Sequence, residues 1–177
     1  MVQLFRNSYG KIRKEDIIKM KKSILSLTVI LAIGMIFTGC QKKESLTVID
    51  IDAVSTEVIN VAEFRDELEE LDDTVLTNIY TTIQLSDIEK YKVYVNSTSA
   101  KAEELAIFEA KDEAKAENIL QAVNERIKDL KFGFEGYLPE ELQIIENAVV
   151  KKEGKYVLFA VGQNYEKINE VFMKYIK

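Results

Sequence analysis

The hydrophobic pattern divides the chain into an apolar N-terminal run and a longer part in which apolar positions recur periodically. Residues 23–39 read SILSLTVILAIGMIFTG, an uncharged stretch directly after Lys21 and Lys22. Beyond residue 51, some segments have apolar residues at the helical spacing of three to four, and others have them at every second position, as in a strand. The pattern therefore predicts an export signal followed by one folded domain.

Four segments have the pattern of β-strands. Residues 91–95 (YKVYV) alternate, and residues 105–110 (LAIFEA) and 148–151 are rich in apolar side chains. Residues 156–161 (YVLFAV) are continuously apolar, which predicts a central strand buried on both faces. A tight turn at Glu153-Gly154 would join the last two strands as a hairpin.

Helical spacing predicts five helices around these strands. The first carries its apolar residues after an N-cap at Asp52 or Ser55, and they are Val54, Val58, Val61, Ala62 and Leu68. The remaining four begin after Asp72, after Asp112, near Pro139 and at Gln163 or Asn164. Residues 131–137 contain two glycines and predict a loop, and the last helix is expected to turn Tyr165 inward.

These elements predict the α+β class, with a four-stranded antiparallel sheet and helices. The order strand, turn, strand, helix at 91–130 recurs at 147–176, and Phe108 matches Phe159. Two ββα repeats would then share one sheet with helices packed on one face. Generic ββα sequence would give the same match, so the pattern leaves duplication open.

The apolar run ends at Thr38-Gly39-Cys40, and Cys40 is the only cysteine of the chain. This segment looks like the lipobox of bacterial lipoproteins, although Phe37 stands where an aliphatic residue is usual. The resemblance implies a lipid on the Cys40 thiol and cleavage by signal peptidase II between Gly39 and Cys40. An uncleaved membrane anchor is the alternative, for which the run is short, since a transmembrane helix needs about 20 residues.

The chain is expected to consist of four parts. Met20-Lys21-Lys22 is a typical start of a signal peptide, so we expect translation to begin at Met20, with residues 1–19 a spurious extension and Met1 as the alternative start. Residues 20–39 would be the lipoprotein signal peptide, and residues 40–51 the lipidated cysteine and a polar tether. Residues 52–177 would form the α+β domain.

Composition excludes several kinds of chemistry. The chain has no histidine, which excludes Ser-His-Asp and Cys-His nucleophile systems, and its single cysteine excludes an intrachain disulfide. Of its 24 basic and 30 acidic residues, seven and two precede Cys40, which leaves a charge of −11 on residues 40–177. We therefore expect no cofactor, no metal and no nucleic-acid partner. Its partners would be the membrane, through the lipid on Cys40, and an unidentified envelope protein or ligand.

Adjacent acidic residues are the main candidates for catalysis. They occur at Glu69-Glu70, Asp72-Asp73, Glu103-Glu104 and Glu140-Glu141. A glycosidase needs two carboxyl groups about 5 to 9 Å apart across a cleft. Neighbouring acids at the start of a helix usually face solvent or interact with the helix dipole, and we expect this for each pair.

The stretch Phe134-Glu135-Gly136-Tyr137 is a candidate ligand or partner surface. Exposed loops that carry aromatic side chains often bind partners, and Tyr94 on the first predicted strand would complete this surface with Phe134, Glu135 and Tyr137. The alternative is structural, with Phe134 and Tyr137 covering the open end of the sheet.

Several short motifs, in a fixed order, resemble a family of small Gram-positive lipoproteins that share a domain of unknown function. The motifs are residues 91–95 (YKVYV), 102–108 (AEELAIF), 134–140 (FEGYLPE), 146–150 (ENAVV) and 154–157 (GKYV). The resemblance covers about residues 52–176 and implies an extracytoplasmic, lipid-anchored domain, with no catalytic residue to carry over. Two functions stay open: a non-catalytic binding module, or a cell-envelope hydrolase that uses Glu103, Glu104, Glu135 and Glu140.

Overall fold

The computed structural model describes residues 48–98 and 100–176, and these residues form five strands and five α-helices. The strands are β1 (Leu68–Glu70), β2 (Ile88–Asn96), β3 (Glu104–Ala110), β4 (Val149–Glu153) and β5 (Tyr156–Val161). The helices are α1 (Ile51–Val61), α2 (Asp73–Ile79), α3 (Glu113–Glu135), α4 (Glu140–Glu146) and α5 (Tyr165–Tyr175). The predicted signal peptide, Gly39, Cys40 and most of the tether lie outside the described residues.

All strands belong to one antiparallel sheet in the order β1-β2-β3-β5-β4. The α+β class is confirmed, and four of the strands are the predicted ones. The prediction of four strands was wrong because β1 adds a fifth at one edge. This strand has only three residues, two of them glutamates. Short, charged strands are typical of sheet edges and lack a clear strand pattern.

The two central strands, β3 and β5, carry most of the core. Every residue of β5 is buried, as its continuous apolar pattern predicted. On one face of the sheet, Phe108 and Phe159 pack against α2, α3 and α4. On the other face, Ile107 and Leu158 pack against α1 and α5. We call these the α3 face and the α1 face.

Helices on both faces correct the expectation that they would pack on one. Phe108 and Phe159 share the α3 face, as the proposed repeat requires. However, α3 packs on that face and α5 on the opposite one. A two-fold axis relating two antiparallel ββα units would leave both helices on the same face, and the structure lacks this symmetry.

Side-chain caps explain where most helices begin. Asp72, Asp112 and Asn164 accept hydrogen bonds from backbone N–H groups in the first turns of α2, α3 and α5, as predicted. The N-cap of α1 is Asp50, which accepts from two backbone amides at 3.1 and 3.2 Å, rather than the predicted Asp52 or Ser55. This helix ends at Val61, so Leu68 belongs to β1.

Three local predictions also need correction. Residues 131–135 continue α3 instead of forming a loop, because Leu130 and Phe134 lie one turn apart and are both buried. The β4–β5 turn consists of Gly154 and Lys155, one residue later than expected, and Gly154 adopts a φ of 52°. Tyr165 is partly exposed rather than inward.

Candidate functional site

Three carboxylates are buried where β3 begins. Glu103 and Glu104 are each 1% exposed, and Glu141 of α4 is fully buried. The expectation that these acids would be solvated was therefore wrong, whereas Glu140 and the acids at 69–70 and 72–73 are exposed. Because burying an unpaired carboxylate is very costly, each of the three must be compensated by neighbouring groups.

Arg65 compensates two of these carboxylates. It lies in the segment between α1 and β1, where its backbone N–H donates to both oxygens of Glu103 at 3.1 Å and its Nε donates at 2.8 Å. Its Nη1 and Nη2 donate to the two oxygens of Glu141, each at 2.7 Å. This is the two-pronged geometry that makes arginine–carboxylate pairs strong and specific.

Further donors complete the surroundings of Glu141. The backbone N–H of Ala102 donates to its Oε2 at 3.0 Å, and the Nζ of Lys101 lies 3.8 Å from its Oε1. Burial raises the pKa of Glu141, but the hydrogen bonds from Arg65 and Ala102, with the positive charge of Arg65, outweigh burial and hold this pKa below its usual range. We call Arg65, Glu103 and Glu141 the Arg65 cluster.

The Arg65 cluster connects the layers on the two sides of the sheet. Helix α1, which precedes Arg65, packs on the α1 face, and α4, which carries Glu141, packs on the α3 face. Between α1 and Arg65 the chain passes through Glu63 at a φ of 55°, a left-handed conformation uncommon for residues other than glycine. The cluster therefore holds the start of β3 between the two layers.

Glu104 belongs to a second cluster on the α3 face. Its Oε1 accepts a hydrogen bond from the hydroxyl of Tyr80 at 2.5 Å. Its Oε2 accepts from Arg126 of α3, at 3.0 Å from Nε and 2.8 Å from Nη2. Burial and the charge of Glu104 raise the pKa of Tyr80 well above its usual value, so the phenol stays protonated and donates. We call these three residues the Arg126 cluster.

A cavity of about 300 Å³ adjoins the Arg126 cluster. Its charged lining consists of Lys101, Glu103, Glu104, Arg126 and Asp129, and its apolar lining includes Ile79, Val95, Leu130 and Phe134. Arg126 bonds Glu104 through Nε and Nη2, and its Nη1 has no hydrogen-bond partner among the described residues. The cavity is therefore lined by an arginine that the buried Glu104 already holds in place.

The structure does not bring the predicted ligand surface together. Tyr94 packs at the edge of the α1 face, whereas Phe134 is buried on the α3 face, where it lines the cavity. Tyr137 is 69% exposed, and Glu135 is exposed at the end of α3. Of the four residues, Phe134 borders the cavity, and Tyr94 lies on the other side of the sheet.

Sequence reasoning missed the two arginines and Tyr80. A usable signal was present, because residues 40–177 contain fifteen lysines but only two arginines, Arg65 and Arg126. Arginine is the preferred partner of a buried carboxylate, because its planar fork matches the two oxygens and it is always charged. Two isolated arginines in a lysine-rich, acidic domain therefore indicate buried ion pairs.

Comparison with known proteins identifies a family but no activity. A family model described as a domain of unknown function (DUF4358) matches residues 60–162, and the chain belongs to this family. No curated protein and no solved structure matches the chain. Within the described ranges, every helix is too short or too polar to serve as a membrane span.

Proposed function

We propose that this member of the DUF4358 family is an extracytoplasmic lipoprotein whose domain is a non-catalytic binding module. A lipid on Cys40 would hold it at the outer face of the cytoplasmic membrane. The observation that carries the non-catalytic assignment is the pairing of all three buried glutamates, Glu103, Glu104 and Glu141, with arginines. Carboxylates held in this way can position a ligand but are poorly suited to exchanging protons with one.

The geometry of each carboxylate supports this view. A general acid needs a raised pKa and a general base needs a free oxygen near the reacting group. Glu141 has a lowered pKa, and both of its oxygens accept hydrogen bonds from Arg65. Both oxygens of Glu103 also accept from Arg65. Glu104 accepts from Tyr80 on one side and from Arg126 on the other.

The cavity beside Arg126 is the proposed binding site. Its lining combines the charged residues Arg126, Lys101 and Asp129 with the apolar residues Leu130 and Phe134. Small-ligand sites typically combine apolar walls with a few fixed polar groups. This combination suits a small ligand, or the end of a larger one, that has a polar and an apolar part.

The assignment to the membrane surface is supported by the sequence before the domain. The apolar run 23–39 ends at Cys40, and the residues after it are strongly acidic. Anionic lipid head groups repel such a domain, so its membrane attachment would depend on the lipid alone. A diacylglyceryl group supplies enough buried CH₂ groups for stable anchoring, at about 0.8 kcal/mol each.

Replacing Cys40 by alanine tests the anchor. In cells that express the full chain, we expect Cys40→Ala to lose the mass of the lipid and to leave the detergent phase or stay unprocessed. Ser45→Ala, a substitution of similar size in the tether, should behave like the wild type. Unchanged mass and unchanged detergent partitioning of Cys40→Ala would refute the anchor.

Photocrosslinking tests the binding site. A benzoylphenylalanine at position 133 would reach into the cavity, since Gly133 lines it and has open space around its Cα. The same probe at Phe132, which is 83% exposed, provides the control. We expect a discrete adduct in intact cells from position 133 but not from position 132. Identical adducts from both positions, or none from position 133, would contradict a cavity-bound ligand.

The absence of catalysis is tested with isolated cell-wall polysaccharide. The full chain, purified in detergent, should release no soluble fragments from it. Release that disappears in a folded Glu104→Gln or Glu103→Gln variant would instead establish the hydrolase.

A further inference from the structure

The β1 edge of the sheet exposes backbone groups that pair with no other strand in the described part of the chain. The N–H of Leu71 donates to Val93 at 2.9 Å, and the N–H of Ser97 donates to Glu67 at 3.2 Å, so the odd-numbered residues of this segment face β2. In an antiparallel pair the intervening residues direct both backbone groups the other way. Leu68 and Glu70 therefore present their N–H and C=O groups at the open edge.

A groove runs beside this edge on the α1 face. It has a volume of about 380 Å³ and lies between the C-terminal end of α1 and β1. Its apolar lining is formed by Ile59, Phe64, Leu68 and Tyr94, and Ile59 is 40% exposed. We call it the α1–β1 groove. A strand added beside β1 would direct alternate side chains into it.

The rim of the α1–β1 groove is acidic. Glu63, Asp66 and Glu67 line it, and Glu69 and Glu70 follow on β1; all five are exposed. Lys92 pairs with Glu70 at 2.7 Å. The one cation within residues 63–70, Arg65, turns inward to its cluster. The groove therefore combines an open strand edge and an apolar floor with a rim on which Glu63, Asp66, Glu67 and Glu69 have no cationic partner among the described residues.

We propose that the α1–β1 groove binds an extended, basic peptide segment of a partner protein, which adds to the sheet as a sixth strand beside β1. Backbone hydrogen bonds to Leu68 and Glu70 would supply affinity, and apolar side chains in the groove would supply specificity. Side chains on the opposite positions would project to the other face of the sheet, where the alternation of β1 directs Glu69, and lysine or arginine there would pair with this carboxylate. The proposal rests on the proposed binding role but requires neither the cavity nor the anchor.

Charge also distinguishes this occupant from a second copy of the chain paired edge to edge through β1. Two β1 edges would bring Glu67, Glu69 and Glu70 against the same residues, and like charges opposite each other are destabilising. A second copy could instead compete with the peptide for the β1 edge through its own β4 edge, which carries Lys151 and Lys152. Lys152 is already paired with Glu113 and Glu117 at 3.4 and 3.0 Å.

Binding of defined peptides to the full chain in detergent tests the proposal. The probe is a peptide of alternating lysine and valine, and the controls are a lysine–glycine peptide of the same charge and a glutamate–valine peptide. We expect the lysine–valine peptide to bind about tenfold more tightly than the lysine–glycine peptide, and the glutamate–valine peptide not to bind. Equal binding of the two basic peptides would overturn the proposal, because charge alone would then account for it.

Two matched pairs of variants locate the binding surface. Ile59→Ala should weaken binding of the lysine–valine peptide about fivefold to tenfold, whereas Val75→Ala, equally exposed on α2, should not change it. Glu70→Pro removes the outward N–H and should weaken binding more than Glu70→Ala, which keeps it. Equal effects within both pairs would place the peptide elsewhere and overturn the proposal.

Amide hydrogen exchange provides the structural readout. Bound peptide should slow exchange at Leu68 and Glu70, because their outward N–H groups would become hydrogen-bonded. Protection at β4 instead, or concentration-dependent self-association that the peptide does not reverse, would show that a second copy occupies the edge. Loss of membrane anchoring in Cys40→Ala would leave all these results unchanged, so the two proposals fail separately.

Discussion

The clusters around the neighbouring residues Glu103 and Glu104 use the same chemistry in different surroundings. In the Arg65 cluster, one guanidinium binds two buried carboxylates, one directly before β3 and one on α4, while its own side chain stays partly exposed. In the Arg126 cluster, one guanidinium binds one carboxylate, its Nη1 has no partner among the described residues, and Arg126 lines the cavity. The first cluster joins structural layers and contributes only Glu103 to the cavity lining, whereas the second contributes both its arginine and its carboxylate.

This difference shows that a buried ion pair is not by itself a functional site. Successive residues of an extended segment point to opposite sides, so Glu103 and Glu104 reach different partners although they are adjacent. What separates their roles is which arginine lines the cavity. All five N–H donors of a guanidinium need partners or solvent, and of the two arginines it is Arg126 that lines the cavity.

Removing Arg65 should have the largest effect on stability of the substitutions that compare the two clusters. Arg65→Ala leaves Glu103 and Glu141 buried without their counter-charge, and we expect a loss of about 3–5 kcal/mol in the free energy of unfolding. Arg65→Lys keeps the charge but not the two-pronged geometry and should recover part of this loss. Urea unfolding of both variants measures the effect. A loss below about 1 kcal/mol in Arg65→Ala would show that the cluster does not stabilise the fold.

Neutralising Glu104 tests the second cluster. Glu104→Gln keeps the shape but removes the charge that Arg126 and Tyr80 bind, and we expect to lose about 2 kcal/mol of stability. Glu135→Gln changes an exposed glutamate at the end of α3 and is the matched control, with an effect near zero. Equal unfolding midpoints for the two variants would contradict the assigned role of Glu104.

Removing one hydroxyl gives a smaller effect. Tyr80→Phe keeps the buried ring, which packs edge-to-face on Phe108 with centroids 5.7 Å apart, and deletes the hydrogen bond to Glu104. We expect a loss of about 1–2 kcal/mol. Tyr91→Phe deletes a comparable bond to Asp73 at the surface and should cost less. Thermal unfolding compares the two, and the reverse order would be inconsistent with a buried Tyr80–Glu104 bond.

An exposed ion pair on the surface should contribute less to the free energy of unfolding than either buried cluster. Lys128 lies 3.0 Å from Glu125 on the exposed side of α3, and both side chains remain substantially exposed. Lys128→Ala should change stability by less than about 0.5 kcal/mol. A loss as large as that of Glu104→Gln would mean that exposure does not separate the clusters from ordinary surface pairs.

The sequence predicted those parts of the fold that local pattern determines. The continuous apolar run of β5 and the capping aspartates Asp72 and Asp112 led to correct elements, because strand burial and helix capping depend on a few neighbouring residues. Strand β1 was missed, because its LEE sequence has no alternation and its pairing with β2 is a long-range choice. The choice of face for α3 and α5 likewise depends on connections that local pattern does not specify.

The candidate site was harder to predict because its partners lie far apart in the chain. Arg65 is 38 residues from Glu103 and 76 from Glu141. An adjacent pair of glutamates has the same sequence pattern whether it faces solvent or an arginine. The scarcity of arginine was the unused signal: it indicates buried ion pairs, but it does not identify the carboxylates that the two arginines bind.

Direct titration of the Glu141 carboxyl tests the central claim, that Arg65 holds this buried carboxylate as an anion. Because its pKa is lower in the folded chain, its contribution to stability is present above the unfolded value of about 4.3 and is lost as the pH falls through the folded value. Carboxyl-carbon NMR of the full chain, assigned with Glu141→Gln, should give a midpoint below about 4.3. A midpoint of about 6–7, as a general acid requires, would contradict the account and favour a hydrolase.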